Sequence, residues 1–133
     1  IFENKVLGTA EKLPFEDKSF DNIFCSFVWR NISDTDKALG EIYRVLKPGG
    51  KFVLLDMTRP KNSILKILHK IGSFKILHLI GLLTFNLKEY RFLYRSLDFY
   101  PQPENHLKMD NFININIERM GLFGFVYLAV FTK

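Results

Sequence analysis

Cysteine is nearly missing from this sequence: Cys25 is the only one in 133 residues. That excludes an internal disulfide framework and any metal site built from several thiolates. No apolar run is long and clean enough to span a bilayer, which takes about 20 predominantly apolar residues. The densest stretch, Ile64 to Phe85, is interrupted by Lys66, His69, Lys70, Lys75 and His78. Basic charge is not concentrated either. Lys and Arg outnumber Asp and Glu by 19 to 14, a net charge of +5 dispersed over the chain, so no nucleic-acid partner is expected. His69, His78 and His106 show no convergent ligand spacing, and no metal is expected. Repeats, low-complexity tracts and interdomain linkers are also absent. The sequence starts at Ile1 rather than Met and carries no signal-peptide pattern, which reads as part of a cytosolic protein.

What is present suits one cored domain, with 47% hydrophobic and 25% charged residues. Asn4 to Gly8 is a strand candidate, followed by a loop of turn formers and acids to Asp21. Phe20 to Phe27 reads as a buried strand with Cys25 as a small core residue. Ser33 to Asp36 offers capping oxygens to a helix whose Ala38, Leu39, Ile42, Tyr43 and Leu46 recur at helical spacing, while Lys37, Glu41 and Arg44 face water. Pro48 ends that helix, Gly49-Gly50 makes the turn, and Lys51 to Met57 forms a strand covered on both faces. Strand, helix and strand in this order make a crossover unit of a parallel sheet. Residues 64–85 then read as one or two basic amphipathic helices, broken near Gly72 and Ser73. Leu87 to Phe99 reads as a further helix closed by Pro101 and Pro103. Ile113, Ile115 and Ile117, with Phe125 to Phe131, predict a hairpin.

Three stretches together resemble one family: GTAEKLPFEDKSFD at Gly8 to Asp21, SFVWRN at Ser26 to Asn31, and RVLKPGGKFVLLDMT at Arg44 to Thr58. They are similar to the ubiquinone and menaquinone biosynthesis C-methyltransferases, the UbiE family of S-adenosylmethionine-dependent class I methyltransferases. YRFLYRSL at Tyr90 to Leu97 is similar to another segment of that family. The resemblance implies an α/β fold, the C-terminal portion of a Rossmann-like sheet of order 3-2-1-4-5-7-6, with strands 3 to 7 present and the N-terminal strands missing. It implies a single partial domain over residues 1–133, with a helical insertion at about 61–100. The family's glycine-rich turn and the acid that binds ribose would both lie before Ile1, and no G-x-G-x-x-G-like motif occurs here.

Carried over position by position, the resemblance places Thr9 and Ala10 beside the adenine of S-adenosylmethionine, where the family has Asp-Ala or Asn-Ala. Ser26 matches the serine ending the fourth strand. Arg30 and Asn31 match the pair facing the substrate, with Val28 and Trp29 in place of the usual glycine and aliphatic. Asp56-Met57-Thr58 is a variant of Glu-x-Ser, and the segment 103–112 looks short for the family's last helix. Methyl transfer from a sulfonium depends mainly on placement and an electron-rich acceptor. A permanent guanidinium such as Arg30 stabilises a phenolate forming on a quinol ring; the alternative is that Arg30 and Asn31 serve only as turn caps.

The implied activity is methylation of a prenylated quinol, demethylmenaquinol or a ubiquinone precursor, by a protein of which these residues alone are expected to be inactive. Another small-molecule or lipid methyltransferase, or a truncated non-catalytic module, are the competing readings. Residues 64–85 are expected either to touch the inner face of the membrane peripherally or to cover a core, and exposed strand edges favour homo-oligomers.

Overall fold

The structure, a computed structural model, describes residues 5–107, 111–121 and 124–133. Its strands are β1 (Phe20–Ser26), β2 (Leu46–Met57), β3 (Asn114–Met120) and β4 (Val126–Thr132), and its helices α1 (Thr35–Val45), α2 (Ser63–Leu83), α3 (Leu87–Phe99) and the single turn α4 (Pro103–His106). The strands form one sheet in the order β1-β2-β4-β3. β1 and β2 are parallel, with Ile23 opposite Phe52 and Ser26 opposite Leu55. Gly49 N–H donates to Lys133 O and Thr58 N–H to Phe125 O, so β4 runs antiparallel to β2. Ile113 N–H donates to Thr132 O, which makes β3 and β4 the expected hairpin. The last strand therefore lies between the second and third, which is the 4-5-7-6 part of the order expected from the sequence.

Three expectations are corrected. Lys5 to Gly8 form no strand; they are exposed, and Asn4 lies outside the described residues. A lone extended segment needs a ladder partner, and none is supplied to it among the described residues. β2 starts at Leu46, five residues earlier than expected, because Pro48-Gly49-Gly50 does not turn away from the sheet. It is absorbed as an irregularity between the pairs Phe20–Leu46 and Asn22–Lys51, with Gly49 at φ +76°. Gly50 passes so close to its neighbours that an added Cβ would sit 2.8 Å from Lys47 O and 2.9 Å from Asp21 O. Gly50→Ala is accordingly expected to cost about 1–3 kcal/mol in urea unfolding.

The third correction concerns α2, which is one unbroken helix through Gly72 and Ser73. The cost of a mid-helix glycine, about 1 kcal/mol, is smaller than that of giving up the several backbone hydrogen bonds a break would open. Asn62 caps its start by accepting from Ile64 and Leu65 N–H. Its end is closed by Asn86 N–H donating to Gly81 O, with Phe85 in the left-handed region at φ +56°. Buried Gly81 lets α3 approach, since a Cβ there would meet Leu87 Cα at 3.1 Å.

The chain divides into two compact units, one within Ile1–Leu55, Lys108–Asn116 and Ala129–Lys133, the other within Asp56–Leu107 and Ile117–Leu128. The first is centred on an aromatic chain. Trp29 meets Phe52 at 5.6 Å, Phe52 meets Phe131 at 5.3 Å, Phe131 meets Phe112 at 5.2 Å, and Phe112 meets Tyr43 at 5.2 Å. Ala38, Leu39, Ile42 and Val45 bury the inner face of α1. Lys133 Nζ closes the end of that helix by donating to Tyr43 O and Leu46 O. The second unit contains α2 packed on α3, with Leu97, Leu107 and Tyr127 buried.

Two carboxylates make the fold acid-sensitive. Hydrogen bonds from Arg44, and then the Leu13 N–H, hold Glu41 down to about 2 from 4.5. Burial works against the charge on Glu104, but Arg119, the residue's own backbone N–H and Lys61 together outweigh it, and Glu104 also sits at about 2. A carboxylate lowered in the folded state stabilises above its unfolded value and loses that contribution as pH falls toward the folded one. Stability measured by circular dichroism should therefore drop between pH 4.5 and about 2, and Arg119→Ala should flatten that drop.

Candidate functional site

The carboxyl end of β1 carries an unusual backbone. Ser26, exposed, ends the strand, and Phe27 then adopts φ +56° while its N–H donates to Leu55 O at 2.8 Å. A left-handed aromatic costs about 1–2 kcal/mol, and such residues concentrate where a chain must leave a sheet abruptly for a functional reason. The chain enters a 3-10 turn at Trp29–Asn31, closed by Asn31 N–H to Val28 O at 2.8 Å. Trp29 is fully buried against Phe52 and anchors the turn, and its indole N–H has no partner among the described residues. Arg30, half-buried, and Asn31, exposed, directly follow this anchor.

Thr9 and Ala10 lie on a second loop, in a tight turn closed by Lys12 N–H donating to Thr9 O at 3.1 Å. Glu11 on that turn accepts from Asp34 N–H at 3.5 Å. Asp34 is the N-cap of α1, three residues after Asn31, so the loop of Thr9-Ala10 and the loop of Arg30-Asn31 are neighbours at the start of one helix. Arg44 fixes the rest of the first loop, donating to Leu13 O, Phe15 O, Asp17 and Glu41. Glu41 accepts from Leu13 N–H at 2.9 Å. These two side chains, expected to face water, instead hold the loop that carries Thr9 and Ala10. Asp21 pairs with Lys47 Nζ at 2.8 Å, a structural role.

A second cluster lies at the end of β2 in the other unit; the motif Asp56-Met57-Thr58 marked the place, but sequence reasoning missed Arg59 and its partners. Asp56, Thr58 and Arg59 are all buried, and Asp56 accepts from Met57 N–H at 2.7 Å. The Arg59 guanidinium donates to Asp98 at 3.0 Å, Ser73 Oγ at 2.9 Å and Tyr94 O at 3.1 Å, and lies 4.8 Å from the centre of the Tyr94 ring. His69, read from the sequence as a surface or helix-face residue, lies on α2 and is half-buried, with Nδ1 3.2 Å from Arg59 Nη1. Burial first, and the adjacent Arg59 charge second, lower its pKa from the ordinary imidazole value. Asp98 is also lowered: burial opposes its charge, but hydrogen bonds from Arg59 and Lys70 prevail. The one signal in the sequence was Arg59-Pro60 at a strand exit, which does not by itself mark a buried cation.

The sequence profile of the ubiE/COQ5 methyltransferase family matches residues 4–121. Among curated relatives, the ubiquinone/menaquinone biosynthesis C-methyltransferase UbiE of Rickettsia bellii is 38% identical over 127 residues, 91% of this chain and 51% of its own length. That of Rickettsia prowazekii is 43% identical over 108 residues, covering 79% and 44%. The chain thus spans about half the length of the curated relatives it matches. A crystal structure from Thermotoga maritima, titled a SAM-dependent methyltransferase and possible histamine N-methyltransferase, superposes with a TM-score of 0.60 at 21% identity, over 94% of this chain and 61% of that one. A protein of Pyrococcus horikoshii OT3 gives a TM-score of 0.56 at 20% identity, over 96% and 57%. The fold is that of these structures, and by its sequence the chain belongs to the ubiE/COQ5 methyltransferase family.

Proposed function

We propose that these residues form the acceptor side of an S-adenosylmethionine-dependent enzyme that methylates a ring carbon of a prenylated quinol. Family membership supports the reading, and the observation that carries it is the Trp29-anchored turn holding Arg30 and Asn31 at the carboxyl end of a parallel strand, where α/β sheets bind ligands. The cofactor supplies an electrophilic methyl group when bound. Thr9, exposed, Ala10, half-buried, and Ser26, exposed at the strand end, fit the adenosyl side of that group, and no glycine-rich cradle for its methionine part occurs in the sequence.

Arg30 then acts on the acceptor. As a ring hydroxyl loses its proton to water, electron density moves onto the adjacent carbon, and a fixed guanidinium stabilises the developing phenolate. Asn31 holds the same oxygen through its amide. Because the chain's cofactor contacts are confined to one side, calorimetric titration of these 133 residues with S-adenosylmethionine should show a Kd no tighter than about 1 mM. A micromolar Kd would overturn this division of the site.

Membrane contact is part of the same reading. No helix among the described residues is long and apolar enough to cross a membrane. α2 nevertheless exposes Ile64, Ile67, Ile71, Leu79 and Leu83, and Phe85 beyond it is 95% exposed. Residues 61–86 contain four lysines and no acid. Lys61 and Lys70 are paired with Glu104 and Asp98, which leaves Lys66 and Lys75 to an anionic surface. Lys66→Glu with Lys75→Glu should reduce co-sedimentation with phosphatidylglycerol vesicles at least about tenfold; unchanged binding would end the idea. Self-association through β1, an edge strand among the described residues with Phe24 67% exposed, is the other contact proposed.

A further inference from the structure

The unit that contains α2 and α3 has an open cavity of about 420 Å³, within the size range of small-molecule clefts. Leu68 and Ile76 from α2, Leu93 and Leu97 from α3, and Phe125 form its apolar wall. Gly72 widens it, since a Cβ there would meet nothing within 4 Å. Only two side chains at the wall, His69 and Ser73, bring polar atoms. The Ser73 hydroxyl is already occupied, accepting from Arg59 at 2.9 Å and donating to Lys70 O at 3.3 Å.

His69 is in a different state. A guanidinium has only N–H donors and stays charged, so Nδ1, 3.2 Å from Arg59 Nη1, must be the acceptor of that contact. The ring's one proton then resides on Nε2. A second proton would have to sit on Nδ1 and face the cation. Among the described residues nothing accepts from Nε2–H, and the ring lies against Phe125 with centroids 5.1 Å apart. Arg59 fixes the tautomer, and Asp98 balances the charge of Arg59.

We propose that this cavity binds an uncharged, largely apolar molecule bearing an acceptor oxygen, a ring carbonyl or hydroxyl of quinone type, and that His69 Nε2–H donates to that oxygen. A charged ligand finds no uncompensated partner at the wall, because Arg59 is neutralised by Asp98 and Asp98 also takes Lys70. A pure hydrocarbon would fill the space but leave the donor unpaired. The quinone assignment rests on the reading above; the requirement for an apolar body and one acceptor comes from the cavity itself.

The test titrates the protein with 2-methyl-1,4-naphthoquinone and with 2-methylnaphthalene, which lacks the oxygens, while long-range ¹H–¹⁵N spectra follow the His69 ring. The free protein should show the Nε2–H tautomer, and the quinone, not the hydrocarbon, should shift that proton. His69→Phe should weaken quinone binding about tenfold and hydrocarbon binding less than about twofold. Leu93→Trp, which fills the cavity from α3, should abolish both. Equal quinone affinity in wild type and His69→Phe, or an Nδ1–H tautomer, would overturn the assignment. Methyl transfer is not part of the readout. Quinone binding through His69 without methylation would leave this site standing and remove the proposed activity, whereas methylation indifferent to His69 would do the reverse.

Discussion

Arg59→Ala is expected to destabilise the protein by about 3–5 kcal/mol in denaturant unfolding, the largest effect of any single change outside the aromatic core. The guanidinium is 1% exposed and joins three segments that are far apart in sequence: the exit of β2, Ser73 and His69 on α2, and Tyr94 and Asp98 on α3. Its own carbonyl accepts from Gln102 at 3.2 Å. Truncation leaves the Asp98 carboxylate with Lys70 alone, on the exposed side, and takes the added side-chain donor from the Tyr94 carbonyl. Arg59→Lys keeps the charge but loses the fork, since one ammonium cannot reach Asp98, Ser73 and the carbonyl together, and should recover only part of the loss. Replacing the pair together, Arg59→Met with Asp98→Leu, should cost less than Arg59→Ala, because no buried charge is then stranded. An Arg59→Ala protein within 1 kcal/mol of wild type, on the scale of an ordinary surface change, would show that the link does not hold the helices.

Arg30→Ala should instead spare stability and remove catalysis. Its side chain is half-buried on a turn already anchored by Trp29, so unfolding free energy should change by less than about 1 kcal/mol. In a polypeptide that joins these residues to a glycine-rich cofactor-binding portion, kcat should fall about 10²–10³-fold, the usual cost of losing one preorganised donor to a developing oxyanion. The Kd for S-adenosylmethionine should stay within about twofold of wild type, because Arg30 is assigned to the acceptor. Arg30→Lys should return part of the rate, since charge without a fork still stabilises a phenolate. A loss in cofactor affinity equal to the loss in kcat would move Arg30 to the other side of the site.

Elements whose signal is local could be read from the sequence. α3 runs over Leu87–Phe99 as expected, because Leu87, Tyr90, Leu93, Tyr94 and Leu97 keep helical spacing and Pro101 follows. β1 lies within the apolar run expected for it, although none of its residues is buried and Cys25 is only half-buried, against the buried strand expected; Asp34 caps α1 by accepting from Lys37 N–H. Elements decided by distant contacts could not be read. Whether Gly72-Ser73 breaks a helix depends on α3 packing alongside, and whether Pro48-Gly49-Gly50 turns depends on Lys133 hydrogen-bonding to Gly49 and Gly50. The candidate site divides in the same way. Thr9, Ala10, Ser26, Arg30 and Asn31 came from motif positions, but the nearness of their loops depends on a Glu11–Asp34 hydrogen bond across 23 residues. Arg59 escaped notice, and with it the setting of His69, because the partners of Arg59 on α3 lie 35 and 39 residues away, beyond any periodicity.

The most direct test of the proposed chemistry is to supply S-adenosylmethionine labelled with ¹³C in its methyl group to the polypeptide carrying these residues, together with demethylmenaquinol, and to locate the label by NMR. Label on the quinol ring carbon beside a hydroxyl, absent from the Arg30→Ala protein, is the expected result. Label on an oxygen or nitrogen of any acceptor, or equal ring labelling without Arg30, would contradict it.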